Sequence, residues 1–468
     1  MQRAQYLAKN TALFALNSIG TRIISFLLVP LYTVVFTTSD YGAIDLVSTI
    51  ATILVPFITI NIGESVMRFA LDKDANRSHI MSIGIFFMIL SLLLGCSVFV
   101  ILRWFPTIRI SSSLVYLFCI SQGLYQTLSC NLRGQEKLFQ FAVGNLLNTF
   151  AVAVLNILLL LVFRLGVEGY FYSYIISFFI AGTYCFIVGD VPSVLKNFYL
   201  DKTLLANMVK YSIVLVPNSF MWWIMNSSDH VMVTAMLGAS ANGIYAVSYK
   251  LPSILTALST VFNQAWSYSA IHENESSDRV EFHNAMFDKL VSFLLIVTVF
   301  IMCWIKPFLS VYVQPSYYKA WEYTPYLLLG YFFLTLGTFL STFYTVNKDS
   351  KGFLYSATFA ACVNIFLNWV LIPRWGVHGA AFATCVSYIL VFLYRSIDTK
   401  KYMVIHVFHA KYLIGYALLF ITAISMAIPG VPGQLTLMLE CMVMLIINRD
   451  FLKECFVVLN KLKNKFKK

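Results

Sequence analysis

Two cations, Arg22 and Lys250, lie deep inside long apolar stretches, whereas the other Lys and Arg residues sit at the ends of such stretches or between them. A cation placed in a bilayer costs about 2.5–3.5 kcal/mol even on lenient insertion scales, so such a residue belongs in a protein-lined cavity. The chemistry on offer is anion binding: Arg presents a planar fork that suits phosphate, and Lys a mobile point charge. The plainer alternative for each is a structural pair with a buried carboxylate. Asp229, in Asn226-Ser-Ser-Asp-His230, either pairs with Lys250, carries a coupling proton or cation, or faces headgroup water near its helix end. His230 titrates near neutrality in principle, although a lone His at an interface is more commonly a hydrogen-bonded wall residue.

Glu64 and Arg68 are spaced i, i+4, which predicts one helical face and an ion pair, read either as a cytoplasmic gate or as a solvated pair. Asn17, Asn218, Gln122, Gln126, Asn263 and Gln264 are candidate cavity groups, of the kind that otherwise bond neighbouring helices. Met221-Trp-Trp223 offers aromatic faces for stacking on sugars or for packing. The nine Cys show no ligand spacing and read as small hydrophobes. With no Gly-rich phosphate loop, zinc-ligand spacing or nucleophile elbow, the chain is expected to be no enzyme and to need no cofactor or metal.

The elements that must position these residues are membrane helices. The chain is 59% apolar and 12% charged, with a mean hydropathy of +0.77. Ordinary globular domains carry about 25% charged residues, so this composition belongs to a polytopic membrane protein. Segments of about 20 apolar residues place 14 spans, near 11–36, 42–66, 80–102, 113–131, 140–163, 166–189, 210–237, 240–267, 290–312, 322–345, 352–373, 377–394, 412–429 and 433–448. Alternate sides hold 25 and 6 of the remaining Lys and Arg residues, which predicts cytoplasmic N- and C-termini. By the 1.5 Å helical rise, Arg22 lies about 17 Å from the cytoplasmic edge of its span and Lys250 about 15 Å from the outer edge of its own, both near the midplane. The formal charge of +12 is concentrated in part in the tail Lys461–Lys468, which suits anionic lipid headgroups; no basic domain for nucleic acid accompanies it.

An internal duplication is visible. A shift of 201 residues superposes Asn17-Ser18 on Asn218-Ser219 and Tyr41-Gly42 on Asn242-Gly243, and Gly166-Val-Glu-Gly169 matches Gly376-Val-His-Gly379. Parallel repeats of six spans predict two six-helix lobes, 1–205 and 206–400, with a helix pair and basic tail over 401–468 and substrate bound between lobes. Arg22 and Lys250 fall one in each repeat.

The stretches Tyr41-Gly-Ala-Ile-Asp-Leu, Tyr211-Ser-Ile-Val-Leu-Val-Pro-Asn218 with Ser228-Asp229, Asn242-Gly-Ile-Tyr-Ala-Val-Ser-Tyr-Lys-Leu-Pro252 and Gly376-Val-His-Gly-Ala-Ala381 resemble the polysaccharide (O-antigen) flippase family. That family stands in a superfamily with multidrug extruders and peptidoglycan lipid flippases. The resemblance implies a bundle with alternating access in the inner membrane of a bacterium. Its implied cargo is an undecaprenyl-diphosphate-linked oligosaccharide, and polysaccharide polymerase or chain-length machinery are its implied partners. A multidrug or metabolite cation antiporter is the alternative within the superfamily, with the peptidoglycan lipid-precursor flippase beside it. The antiporter predicts carboxylates rather than cations as the principal buried charges.

Overall fold

The computed structural model describes residues 20–72, 74–102, 110–272, 278–347 and 349–466, and every regular element among them is helical. Nine helices of the described chain are long and apolar enough to cross a membrane, and Gly20–Val35 and Ala410–Ser425 are shorter apolar helices. Large hydrophobic side chains such as Leu93, Phe150, Ile187 and Trp369 stand on outer helix faces and are exposed. Water would penalise such a surface, whereas lipid does not. The protein is an all-α polytopic membrane protein. By contact density it divides into two units, Met1–Ala246 and Val247–Lys468.

The first unit begins with α1 (Gly20–Val35) and α2 (Thr38–Ile58). Thr37 opens α2 with a capping box: its hydroxyl accepts from the Asp40 N–H, and the Asp40 carboxylate accepts from the Thr37 N–H. The span expected over 42–66 is not continuous. Behind Pro56 the backbone leaves the helix, with Ile60 and Asn61 at φ 51° and 54°, before α3 (Ile62–Ala70) resumes. There follow α4 (Arg77–Leu94), α5 (Ser97–Leu102), α6 (Ser112–Gly134), α7 (Leu138–Asn156), α8 (Gly166–Val188) and α9 (Val191–Lys196). α10 (Lys202–Leu237) is capped by Asp201, whose carboxylate accepts from the Thr203 and Leu204 N–H groups. The division between units falls inside α11 (Ala239–Ser248).

The second unit continues with α12 (Pro252–His272), α13 (Arg279–Tyr312), α14 (Thr324–Val346), α15 (Ser350–Trp375) and α16 (Val377–Asp398). Then come α17 (Ala410–Ser425), α18 (Gly430–Ile447) and the basic α19 (Arg449–Phe466). The expected span over 240–267 is also broken, at Tyr249–Leu251, because Pro252 disfavours helical backbone in the residue before it. Within this unit α14 packs against α16 at Gly330, where a Cβ would lie 3.1 Å from the Cys385 Cα.

The duplication is visible in backbone detail. Gly166 and Gly376 both hold positive φ, 57° and 59°, where each chain turns from one helix into the next. Three residues on, a Cβ at Gly169 would lie 3.3 Å from the Leu159 carbonyl oxygen, and one at Gly379 would lie 2.4 Å from that of Leu371. The matched glycines therefore do matched work.

Candidate functional site

A close helix crossing positions the site. A Cβ on Gly42 would lie 1.8 Å from the Ala239 carbonyl oxygen, and one on Gly243 would lie 1.9 Å from the Thr38 carbonyl oxygen. Only glycine permits that approach, so α2 and α11 meet backbone to backbone. The two glycines are 201 positions apart, the shift of the duplication, so repeat-equivalent positions touch one another. Beside the crossing, the Thr38 and Ser240 hydroxyls share a hydrogen bond of 2.7 Å. α10 is laced antiparallel along α2 and α3. Ser65 Oγ donates to the Met208 carbonyl at 3.0 Å, Asn61 Nδ2 to Ser219 Oγ at 3.3 Å and Trp223 Nε1 to the Thr49 carbonyl at 2.8 Å.

The crossing brings together Asp45 from α2, His230 from α10 and Asn242 from α11. His230 Nδ1 lies 2.7 Å from Asp45 Oδ2 and 3.1 Å from Asn242 Oδ1. Asn242 Nδ2 donates to the Gly42 carbonyl at 3.0 Å and to Asp45 Oδ2 at 3.1 Å, which turns the amide oxygen toward the imidazole. With two acceptors facing it, Nδ1 must carry the hydrogen. Asp229 accepts from the Tyr245 hydroxyl at 2.7 Å and from the His230 N–H at 3.0 Å. Asp229, His230, Asn242 and Tyr245 are buried, and Asp45 is half-buried. Two carboxylates and one imidazole are therefore brought together, largely out of solvent, where α2, α10 and α11 meet. Among the described residues no three His, Cys, Asp or Glu are gathered to hold a metal ion.

The residues singled out in the sequence are distributed around this cluster and beyond it. Asp229 belongs to it, and His230, read as a wall residue, is at its centre. Lys250 occupies the break between α11 and α12 and not a helical turn: its N–H donates to the Val247 carbonyl at 3.0 Å and its carbonyl accepts from Ser253 Oγ at 2.6 Å. The Ser248 carbonyl, released from the helix ladder, accepts from the Thr324 hydroxyl at 3.3 Å. Arg22 is half-buried on α1. Asn17 lies outside the described residues, and so does the side chain of Asn218 on α10.

The expected Glu64–Arg68 ion pair does not form. Arg68 Nη1 instead meets Asp72 Oδ1 at 2.7 Å, one turn further along, while Glu64 Oε1 lies 3.8 Å from Arg133 Nη1. The cause is the seating of α3 on α6, where a Cβ on Gly134 would lie 2.7 Å from Ala70 Cβ, which brings Arg133 to Glu64. A second correction concerns Arg395, counted as a loop cation. α16 runs on to Asp398, and Arg395 is buried inside the bundle. Its Nε donates to Ser356 Oγ and its Nη1 to the Gly337 carbonyl, both at 3.1 Å, and its guanidinium lies 5.5 Å from the centre of the Phe353 ring.

Sequence reasoning missed Asp45, Asn242 and Tyr245 as site residues, although all three stand in the stretches that carry the family resemblance. The available signal was an Asp one turn beyond a glycine in an apolar span. Its weight rests on a pairing across three helices, which linear spacing does not reveal.

A helical membrane bundle with interrupted spans and a buried ionisable cluster is the kind of architecture in which broken membrane helices line a site. The fold is similar to that of the "Lipid II flippase MurJ, inward closed conformation", with a TM-score of 0.64 and 13% identity over 96% of this chain and 99% of the other. It is also similar to an inward-facing "multidrug resistance MATE family transporter of the MOP superfamily", at a TM-score of 0.64 and 11% identity over 83% of this chain and 95% of the other. A MOP superfamily transporter from Pyrococcus furiosus gives a TM-score of 0.58 and 12% identity over 84% and 96%. No curated protein matches the sequence. Residues 7–268 match the family described as "Polysaccharide biosynthesis protein", which is more than half of the chain, and the protein belongs to that family.

Proposed function

We propose that the protein is a flippase that moves an undecaprenyl-diphosphate-linked oligosaccharide repeat unit across the bacterial cytoplasmic membrane for surface polysaccharide synthesis. The repeats 1–205 and 206–400 alternate in access, with cytoplasmic termini. Residues 401–468 add a helix pair and a tail that rests on anionic lipid. A polysaccharide polymerase takes up the product on the far side. The observation that carries this reading is Lys250 at the break of a membrane span in a chain of the polysaccharide biosynthesis family. Non-helical backbone at membrane depth is tolerated only where it is packed in protein or lines a cavity, and broken helices mark transporter substrate sites. A diphosphate needs cations there; Lys250 and Arg22 supply them, with Asn17 and Asn218 as neutral donors. The Asp45–His230–Asp229 cluster holds the coupling proton.

The test is replacement of the chromosomal copy by Arg22→Ala, Lys250→Ala and Lys250→Arg variants at matched protein level. Surface polysaccharide and lipid-linked oligosaccharide on the cytoplasmic leaflet are then measured. Each Ala variant is expected to lower export at least about tenfold, the equivalent of one charge-assisted contact of 1.4 kcal/mol or more, with Lys250→Arg intermediate. Normal export by the double Ala variant defeats the assignment.

A further inference from the structure

The break between α2 and α3 bounds a cavity of about 220 Å³ within the first unit, closed by α6 and α7. Ile60 and Asn61 hold positive φ there, 51° and 54°, a costly conformation for a β-branched residue. The irregular backbone it produces is not merely packed away: Thr59, Asn61 and Gly63 form one wall of the cavity. The facing wall is made of Tyr125, Gln126 and Asn145. The Tyr125 hydroxyl donates to Asn145 Oδ1 at 2.5 Å, which leaves Asn145 Nδ2 to donate into the cavity. Gln126, exposed at the mouth, makes no side-chain hydrogen bond among the described residues.

Charge decides what such a cavity takes. Its two ionised side chains, Glu64 and Arg133, stand 3.8 Å apart and cancel. The Arg133 guanidinium also lies over the Phe141 ring, 5.6 Å from its centre, so the one cation present is already engaged. A lone phosphate would find no net positive field. What remains is a neutral chamber with amide donors, amide and backbone acceptors, a phenol and an aromatic face. Its volume equals that of about seven liquid waters, comparable with one pyranose ring.

We infer that this cavity is a carbohydrate subsite that binds a single sugar ring of the cargo, held by Gln126 and Asn145 and packed against Phe141. The inference rests on the flippase reading for its biological ligand, but it is tested without it. Full-length protein in lipid nanodiscs is titrated with free glucose, galactose, N-acetylglucosamine and rhamnose, and separately with inorganic phosphate, while saturation-transfer NMR reads binding. At least one sugar is expected to bind saturably and phosphate not to bind. Gln126→Ala and Asn145→Ala should each weaken that binding at least tenfold. Gln126 is at the mouth and its removal leaves the fold intact, which a melting curve verifies; Asn145→Ala is judged against it. The assignment is overturned if no sugar binds, if phosphate binds in competition with the sugar, or if Gln126→Ala leaves affinity unchanged. Export is scored separately. Sugar binding lost without any requirement for Gln126 in export sinks the subsite alone. Sugar binding through Gln126 in a protein that no lipid-linked oligosaccharide requires sinks the flippase reading alone.

Discussion

The crossing of α2 and α11 makes an unusual demand on a pair of substitutions. A methyl group on Gly42 starts 1.8 Å from the Ala239 oxygen and one on Gly243 starts 1.9 Å from the Thr38 oxygen, whereas real Cβ contacts stay above 3.0 Å. Either alanine therefore has to separate the two backbones by about 1.1–1.2 Å, and both obstacles are backbone atoms with no side-chain rotamer to yield. A shift of that size takes the Asn242–Gly42, Asn242–Asp45 and Thr38–Ser240 bonds, now 3.0, 3.1 and 2.7 Å, to about 4 Å, beyond hydrogen-bond reach. At about 0.6 kcal/mol for each polar contact between membrane helices, losing the three costs about 2 kcal/mol. Because one separation relieves both clashes, the double variant should cost about as much as either single one. The coupling energy in the cycle is then about −2 kcal/mol. Reversible unfolding of the purified protein in mixed micelles, followed by tryptophan fluorescence, measures all four corners. Additive losses in the double variant, or singles within about 0.5 kcal/mol of the parent, would refute the backbone contact.

The turn glycines should behave differently from the crossing glycines. Gly166→Ala places its Cβ where nothing lies within 4 Å, so only the positive φ of 57° opposes it, and a loss of about 1 kcal/mol is expected on the same assay. Gly376→Ala, at φ 59° and ψ −138°, lies outside the left-handed helical well and should cost about 1–3 kcal/mol; a loss under about 0.5 kcal/mol would contradict the geometry. At one end of the second unit, Asp349 is held below the usual carboxylate range by the Gly352 N–H, then by the Tyr402 hydroxyl and Lys401. A depressed carboxyl pKa gives stability that is complete above the unfolded value near 3.8 and fades as pH falls through the folded one. The melting-temperature gap between parent and Asp349→Asn should therefore stay constant from pH 8 to pH 5 and close only in stronger acid. A gap that already shrinks between pH 7 and pH 5 would show that the carboxylate is not held in this way.

Much of the fold is legible in the sequence because hydropathy and cation placement are averages over whole segments. The fold class, the multi-pass character and the family follow from such averages and from four short stretches. The breaks at 59–61 and 249–251 are not legible in that way, since Pro56 and Pro252 sit in apolar runs that read as continuous spans. Proline is tolerated in membrane helices when neighbours satisfy the freed groups, as the Thr324 hydroxyl does for Ser248. Arg395 shows the opposite failure. Hydropathy ends its span at the first charge, although Ser356, Gly337 and the Phe353 ring provide a buried setting that only the packed bundle creates.

The site itself shows why a duplicated backbone need not give duplicated chemistry. Gly42 and Gly243 are equivalent under the 201-residue shift and each clears a path for the other, so the crossing is symmetric. The polar groups that use it are not. Under the same shift Asp45 corresponds to Ala246, His230 to Val29 and Asn242 to Tyr41, so the equivalent positions hold neither a carboxylate nor an imidazole. The repeat also carries its buried amides later in each half. Asn156 and Asn368 are both fully buried with an amide oxygen that accepts no hydrogen bond among the described residues, and each spends its NH₂ on a neighbour four positions earlier. The glycines are backbone-level features, present in both halves where the chain must turn or helices must approach closely. Among the described residues, the arrangement of one imidazole with Asp45, Asp229 and Asn242 is found at the crossing and not at the positions the shift makes equivalent. The glycine crossing is thus shared by both halves, whereas the polar groups gathered beside it come from positions whose repeat equivalents differ in chemistry.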